Sequence, residues 1–397
     1  MSQNAFADPQ SHPRLDAAKA HLRAMVGFDT VSKNSNLALI AYMADYLKEL
    51  GAELTILPNQ TGEKQNLVAR FGPSDKAGIV LSGHTDVVPA NEDSWKTPAF
   101  EVNEINGLLF GRGTCDMKGF AACVLATAPV LASKNLQQPV YLCFSYDEEV
   151  GCLGVPAIAE YLASLDTPPK LAIIGEPSNM QLITGQKGKI AMRAHVKGSS
   201  GHSSFSPKHL NAIELAGHVI DLIEKRGVKY EKEGPFDPEF TIPHSTMLVT
   251  MIKGGVATNV TPDTCSFTFE LRSILEENAR PDMDALLASA DAEVAKRVSS
   301  KSVAGGIEWQ EIFSYPAMGD ARQSEGFQAL AHIMPELGGK VSYGSEGGVF
   351  ETIGGIPSVI VGPGSIEQAH KPNEFVAISQ IEQCLSFLDL VAAEVSK

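Results

Sequence analysis

Several signatures of common protein classes are missing from this 397-residue sequence. Its six cysteines show no Cys-x-x-Cys spacing, and several lie inside apolar runs, so we expect no disulfides. No window approaches the roughly 20 apolar residues of a membrane span, and residues 1–9 contain neither a basic region nor a long apolar stretch. These absences predict a soluble, globular, cytoplasmic protein that makes no use of a membrane.

Positive charge is also scarce, because 32 Lys and Arg residues face 47 Asp and Glu residues, which gives a formal net charge of −15. This excess of negative charge argues against binding to the phosphate backbone of nucleic acids and mildly favours cationic small molecules over anionic partners. Hydrophobic residues make up 44% of the chain, so its length permits a substantial core and two or three domains.

Helical and strand-like segments alternate from about residue 15 to residue 182. Residues 77–82, 140–146 and 171–174 are short apolar runs bounded by polar residues, Gly or Pro, which is typical of strands buried on both faces. The alternation predicts an α/β fold, with a mixed sheet covered by helices on both faces.

The pattern changes after Gly185. Residues 190–196 and 267–272 alternate apolar with mostly polar side chains, as in an antiparallel sheet with one exposed face. We therefore predict an inserted α+β domain over residues 186–289, and a first domain formed by residues 1–185 together with 290–397.

Motifs of several enzyme classes are incomplete. The sequence contains neither the Gly-x-Ser-x-Gly of serine hydrolases nor a His-Glu-x-x-His zinc motif, and residues 111–116 (GRGTCD) carry Asp where a dinucleotide fingerprint requires its last Gly. Imidazole and carboxylate side chains instead occupy positions at or just past the ends of predicted strands, where an α/β sheet brings them to one crevice. These side chains belong to His84, Asp86, Asp116, Glu148, Glu149, Glu176 and His370.

A donor set of imidazoles and carboxylates without thiolates indicates zinc or a similar divalent ion such as Mn²⁺, Co²⁺ or Ni²⁺. Asp86 could accept a hydrogen bond from the ring of His84 and fix its tautomer, and one of Glu148 and Glu149 could bind metal while its neighbour acts as a base. Structural alternatives exist for each position: a core histidine, a turn or helix-capping aspartate, and a solvated acidic loop.

Four motifs resemble a zinc-dependent metallohydrolase family that includes acetylornithine deacetylase, succinyl-diaminopimelate desuccinylase, aminoacylase and carboxypeptidase G. The resemblance covers nearly the whole chain, and within the family residues 343–348 and 362–372 are most similar to the acetylornithine deacetylases. The four motifs are SGHTDVVP at 82–89, GRGTCDMKG at 111–119, DEEVG at 147–151 and GHSS at 201–204.

The resemblance implies a site with two divalent ions, zinc or cobalt. Asp116 would bridge them, with His84 and Glu176 on one ion and Glu149 and His370 on the other. A water shared by the two ions would attack an amide carbonyl.

Further roles are implied outside the ligand set. Glu148 would act as general base and then acid, and Asp86 would orient His84. His202 would reach the active site of a partner subunit in a homodimer formed through the inserted domain, and stabilise the oxyanion. Asn259 and Arg272 match substrate-binding positions, the latter for the α-carboxylate.

Two further side chains have competing interpretations. The alternative for Arg272 is an ordinary cross-strand ion pair. Glu346 is predicted either to meet the ammonium group of a cationic substrate or to pack structurally at a helix start.

The expected activity is hydrolysis of the N-acetyl amide of acetylornithine to ornithine and acetate, a step of arginine biosynthesis. Alternatives are succinyl-diaminopimelate desuccinylation, broader aminoacylase action on acyl-amino acids, and a non-catalytic dimeric binding protein of the same fold. The last predicts loss of a ligand or of the base, and the sequence retains all of them.

Overall fold

The computed structural model describes residues 11–275, 279–301 and 303–397. Residues 1–9, which contain neither a basic region nor a long apolar stretch, lie outside these ranges. The helices are α1 (Leu15–Val26), α2 (Leu37–Glu49), α3 (Lys118–Ser133), α4 (Val155–Ala163), α5 (Ala212–Glu233), α6 (Ala279–Lys301), α7 (Glu325–Leu330), α8 (Gly347–Thr352) and α9 (Ile378–Glu394). The strands are β1 (Glu53–Pro58), β2 (Gln65–Phe71), β3 (Ile79–His84), β4 (Asn103–Ile105), β5 (Leu108–Phe110), β6 (Val140–Ser145), β7 (Leu171–Ile174), β8 (Leu182–Gln186), β9 (Gly188–Lys197), β10 (Gly201–His202), β11 (Thr246–Gly254), β12 (Val260–Thr261), β13 (Thr264–Ser273), β14 (Gly306–Tyr315), β15 (Leu337–Val341), β16 (Ser358–Ile360) and β17 (Phe375–Ala377).

These elements form two compact units. The described part of the first consists of residues 11–185, 319–339 and 345–397, and the second consists of 186–318 and 340–344 where described. Within the described ranges, no helix is both long enough and apolar enough to span a membrane.

An eight-stranded mixed sheet has the order β1-β2-β6-β3-β7-β16-β8-β15. β3 runs parallel to both β6 and β7, so the carboxyl ends of these three strands lie at one edge. Every residue of the three strands is buried, because α3 packs on β3 from one side while α4 and α8 contact β6 and β7. The predicted mixed α/β sheet with helices on both faces is confirmed.

The second unit contains a four-stranded antiparallel sheet with the order β11-β13-β9-β14. Ile190, Met192 and Ala194 of β9 point into a core that they share with α5 and α6, whereas Arg193 is only partly buried and His195 is exposed. This alternation follows from the period-2 geometry of a strand with one covered face.

The second unit extends beyond the segment 186–289 predicted from the sequence. α6 continues to Lys301 and packs on α5, and β14 pairs with β9 from Gly306 to Tyr315. The periodicity of residues 283–313 predicts these elements, but strand pairing between remote segments decides which sheet they join. The predicted boundary after residue 289 therefore differs from the boundary of the compact unit.

Candidate metal centre

Strand ends of the first unit carry four of the predicted site residues. His84 is the last residue of β3, Glu148 and Glu149 follow β6, and Glu176 follows β7. Asp116 lies in the loop before α3. The three strands are parallel neighbours, so their carboxyl ends deliver these side chains to one edge of the sheet.

The side chains form a compact cluster in which Asp116 is central. One carboxylate oxygen of Asp116 (Oδ1) lies 3.0 Å from His84 Nε2, and the other (Oδ2) lies 3.2 Å from His370 Nε2. Glu176 Oε1 is 3.6 Å from His84 Nε2, and Glu149 Oε2 is 2.9 Å from His370 Nε2. The cluster thus has two halves that share one aspartate.

Ligand atoms within each of two groups of residues lie within 4.8 Å of one another, close enough to hold a metal ion. These groups are His84, Asp116 and Glu149, and His84, Glu148 and Glu176.

The chemistry of this donor set fits divalent cations. It offers imidazole nitrogens and carboxylate oxygens without a thiolate, a combination suited to zinc and related ions. Glu176 is 3% exposed, and its Oε1 atom accepts no hydrogen bond from the described residues. A buried carboxylate oxygen without a donor is costly unless a cation occupies the space beside it.

The electrostatics of the cluster point the same way. Burial alone would lower the pKa of His84, but its hydrogen bond to Asp116 and the charges of nearby carboxylates raise that pKa well above 6.5. The hydrogen bonds to Asp116 and Glu149 raise the pKa of His370 to about 10. Two protonated imidazoles thereby balance the negative charge of the packed carboxylates. Bound metal cations would balance the same charge in their place.

Glu148 is a further buried carboxyl group of the cluster. Its pKa is raised well above 4.5 because it is buried and because Glu149, Asp116 and Asp86 carry like charge nearby. Cys152 Sγ lies 3.4 Å from Glu148 Oε1 and is placed to donate to it.

Asp86 does not have the predicted contact with His84. The ring Nδ1 of His84 lies 2.9 Å from the backbone carbonyl of Asp86 and 3.6 Å from its carboxylate. The Asp86 carboxylate instead accepts from the backbone N–H groups of Glu148 (3.0 Å) and Glu149 (3.3 Å), and from the hydroxyl of Ser32 (2.6 Å). The predicted side-chain hydrogen bond is therefore wrong, and the Asp86 carboxylate holds the 148–149 turn.

Glu346 is also not where a substrate-binding role requires it. Its side chain is 0% exposed, and it accepts hydrogen bonds from the hydroxyls of Ser82 (2.8 Å) and Ser145 on the neighbouring strands β3 and β6. It precedes α8, as the structural alternative predicts. The contact with a cationic substrate is the wrong alternative, because both carboxylate oxygens are engaged inside the protein.

The other three predicted residues belong to the second unit. His202 is exposed, and its Nδ1 lies 2.8 Å from Ser204 Oγ. Asn259 precedes β12 and accepts from Ser203 through its backbone carbonyl. Arg272 on β13 donates to Tyr315 Oη (2.8 Å) and contacts Glu270, which Lys189 also approaches at 2.7 Å. Glu270 lies on β13 itself, two residues before Arg272, so this ion pair runs along one strand, and the cross-strand pair of the alternative is not formed among the described residues; the residues opposite Arg272 are Thr246 and Lys189.

One residue beside the cluster has no counterpart among the sequence predictions. The buried Glu374 carboxylate accepts from the backbone N–H groups of Cys115 and Asp116. Its position four residues after His370, just before a short apolar strand, is the only sequence signal that marks it.

Comparison with known proteins adds to this geometry. The model of Peptidase family M20/M25/M40 matches residues 80–394, a range that includes every member of the cluster. The chain belongs to peptidase family M20/M25/M40. As an M20 family member it is a hydrolytic enzyme that acts on amides, which confirms the class of reaction predicted from the sequence.

Individual M20 proteins and structures resemble the chain over most of its length. An acetylornithine deacetylase from Proteus mirabilis (strain HI4320) is 33% identical over 359 residues, which cover 89% of each chain. An M20 family metallo-carboxypeptidase from Sulfolobus solfataricus gives a TM-score of 0.75 at 17% identity and covers 96% of this chain and 99% of its own. A dinuclear metal binding peptidase of the M20 family from Bacillus subtilis gives 0.67 at 14% identity, with coverage of 96% and 97%. At these identities the two structures show the fold alone.

Proposed function

We propose that this M20 enzyme removes the acetyl group from N2-acetyl-L-ornithine, producing L-ornithine and acetate for arginine biosynthesis in the cytoplasm. The observation that carries the proposal is the cluster in which Asp116 directs one oxygen to His84 and the other to His370. Similarity to acetylornithine deacetylases over most of the chain supports the choice of substrate.

The cluster would hold two divalent ions, zinc or cobalt. In this proposal Asp116 contributes to both ions, His84 and Glu176 hold the first, and Glu149 and His370 hold the second. Ions bound there would polarise the amide carbonyl and lower the pKa of water.

Glu148 is the proposed general base. It takes a proton from the attacking water and delivers that proton to the leaving amine nitrogen, which allows the C–N bond to break. Its burial raises its pKa well above 4.5, which favours a carboxyl group that can donate a proton as well as accept one. The Asp86 carboxylate positions this base by holding the backbone N–H groups of residues 148 and 149.

The second unit is proposed to bind substrate and to form a homodimer. Arg272 and Asn259 would contact the acyl-amino acid, with Arg272 on its α-carboxylate. The edge strand β11 exposes Leu248 (60%), Met251 (67%) and Ile252 (56%), which supports an interface with a second copy. The exposed His202 would act on the oxyanion in the site of the partner subunit.

The first experiment measures amine release by metal-depleted protein titrated with Zn²⁺ or Co²⁺. The substrates are N-acetylornithine, succinyl-diaminopimelate and N-acetylmethionine. We expect metal-dependent turnover that is fastest on N-acetylornithine. Faster turnover of succinyl-diaminopimelate would indicate a desuccinylase, and faster turnover of N-acetylmethionine would indicate a broader aminoacylase. Either result would replace the proposed substrate. Metal binding without turnover of any of the three would contradict the proposal and favour a binding protein.

A second experiment tests the role of His202 in the dimer. Inactive His202→Ala and Glu148→Gln subunits are mixed under conditions that allow exchange. Because each hybrid dimer would contain one intact site, activity should return. Exchange without recovery would contradict the action of His202 across the interface.

A further inference from the structure

The loop that carries Asp116 depends on a carboxylate from a distant part of the chain. Glu374 Oε1 accepts from the backbone N–H of Cys115 at 2.9 Å and from that of Asp116 at 3.0 Å. Cys115 is 1% exposed and Asp116 is 5% exposed, so water cannot replace this acceptor at either N–H group. A buried N–H left without an acceptor is destabilising, because it gives up its hydrogen bond to water and gains none in return.

The second oxygen of Glu374 is also engaged. Oε2 lies 2.6 Å from Nη1 of Arg112, a residue of the same loop. The Arg112 guanidinium lies 5.2 Å from the centroid of the Trp95 ring, and both members of the ion pair are almost fully buried. Both carboxylate oxygens of Glu374 are therefore engaged by protein groups rather than by a metal ion. The ion pair with Arg112 fixes the orientation of the side chain.

Strand pairing places Glu374 beside this loop. β17 pairs with β5 so that Phe375 lies opposite Phe110, and the backbone N–H of Gly111 donates to the carbonyl of Glu374 at 3.0 Å. His370 precedes Glu374 by four residues, and its imidazole lies 3.2 Å from the Asp116 carboxylate. Glu374 therefore connects the two loops that carry Asp116 and His370.

We propose that Glu374 is a positioning residue that sets the backbone of Asp116, and thereby aims its two carboxylate oxygens at the two halves of the cluster. The inference rests on the proposed function because it takes Asp116 as the ligand shared by both ions. Glu374 itself would contact neither ion nor substrate. Groups that orient metal ligands in this way typically change metal affinity or activity by about 10–100-fold when removed.

The Glu374→Gln variant tests this role. It retains the size of the side chain, but its amide NH₂ group must face either Arg112 or the two backbone N–H groups, which places donors against donors. We expect Co²⁺ affinity, measured by competition with a chelator, to fall about 10–100-fold. The visible absorption of bound Co²⁺ should also change, because that spectrum reports ligand geometry. Neither readout requires substrate, so both are independent of the acetylornithine assignment.

Glu351→Gln is the matched control. The Glu351 carboxylate also accepts from two backbone N–H groups, those of Gly319 (2.6 Å) and Ser358 (3.3 Å), and it belongs to the same unit. This substitution should lower thermal stability without changing Co²⁺ affinity. If Glu374→Gln lowers stability by the same amount and leaves both affinity and spectrum unchanged, Glu374 is only structural and the proposal is wrong.

A second variant covers the case in which Glu374→Gln does not fold. Glu374→Asp keeps the charge beside Arg112 but is one methylene shorter, so it cannot reach both the guanidinium and the two N–H groups. It should lose Co²⁺ affinity in the same direction. Affinity equal to that of the wild type would overturn the proposal. Wild-type protein that binds no divalent ion would overturn both this proposal and the proposed function.

Discussion

The two sheets of this protein differ in how much of each strand is removed from water. In the first unit, β3, β6 and β7 are buried along their whole length, and their ends place imidazoles and carboxylates at one edge. In the second unit, β11 is largely exposed and β9 alternates between a covered face and a wetter one. A sheet covered on both faces can fix side chains rigidly at its end, whereas a sheet with an open face and edge offers surface for contact with other molecules.

The largest expected effect tests the catalytic end of the first sheet. Glu148→Gln should lower kcat about 10²–10⁴-fold, because the amide cannot accept the proton of the attacking water. Steady-state kinetics with metal content measured in parallel would check this. The control is Asp147→Asn, since the adjacent Asp147 pairs with Lys64. Equal losses in both variants would contradict the assignment of Glu148 as the base.

A core substitution tests the difference in burial directly. Leu142→Ala on β6 removes a side chain that is 0% exposed and should lower the free energy of unfolding by about 2–5 kcal/mol. Leu248→Ala on β11, where the side chain is 60% exposed, should change it by less than about 0.5 kcal/mol.

The two tryptophans allow each unit to be followed separately in urea. Trp95 lies in the first unit, and Trp309 packs against Phe267 and Phe269 in the second. Replacing Trp309 with Phe leaves Trp95 as the fluorescent probe for Leu142→Ala, and replacing Trp95 with Phe leaves Trp309 for Leu248→Ala. Similar losses of stability in Leu142→Ala and Leu248→Ala would mean that β6 and β11 are equally buried, which would contradict the difference between the two sheets.

Lys187 is expected to make the stability of the second unit depend on pH. Burial, together with the charge of Arg272, lowers the pKa of Lys187 from 10.5 to about 8. Between those values the unfolded chain binds more protons than the folded one, so this residue makes stability rise with pH; below about pH 8 its penalty is fully present.

Urea titrations at pH 7, 8.5 and 10 would compare the wild type with Lys187→Met. The free energy of unfolding of the wild type, relative to that of the variant, should increase across this range. A difference independent of pH would show that Lys187 titrates normally.

The smallest effect on stability is expected at the exposed edge. Met251→Lys places a charge on β11 at a side chain that is 67% exposed, so stability should change by no more than about 0.5 kcal/mol. If β11 forms the proposed homodimer interface, sedimentation should show a shift from dimer to monomer. If the variant remained as dimeric as the wild type, β11 would not form the dimer interface.

Local patterns were sufficient to predict the buried central strands of the first sheet. Apolar runs at residues 140–146 and 171–174 coincide closely with β6 and β7, because a strand buried on both faces needs no polar residues. The same patterns placed His84, Glu149 and Glu176 at strand ends, and parallel pairing brings those ends together. They could not assign β14 to its sheet, since the pairing with β9 joins segments more than 100 residues apart.

The sequence by itself determined several strands of each sheet, the family motifs and the acidic and imidazole side chains that converge on one edge. The periodicity of apolar residues indicates which side chains are buried, and a motif indicates which functional groups follow a strand. Only the tertiary structure decided which partner each buried polar group finds. The Asp86 carboxylate meets the backbone of residues 148–149, Glu346 meets the hydroxyls of Ser82 and Ser145, and Glu374 meets the loop of Asp116. The physical reason is that hydrogen-bond partners are set by the three-dimensional register of segments far apart in the chain, which no local pattern encodes.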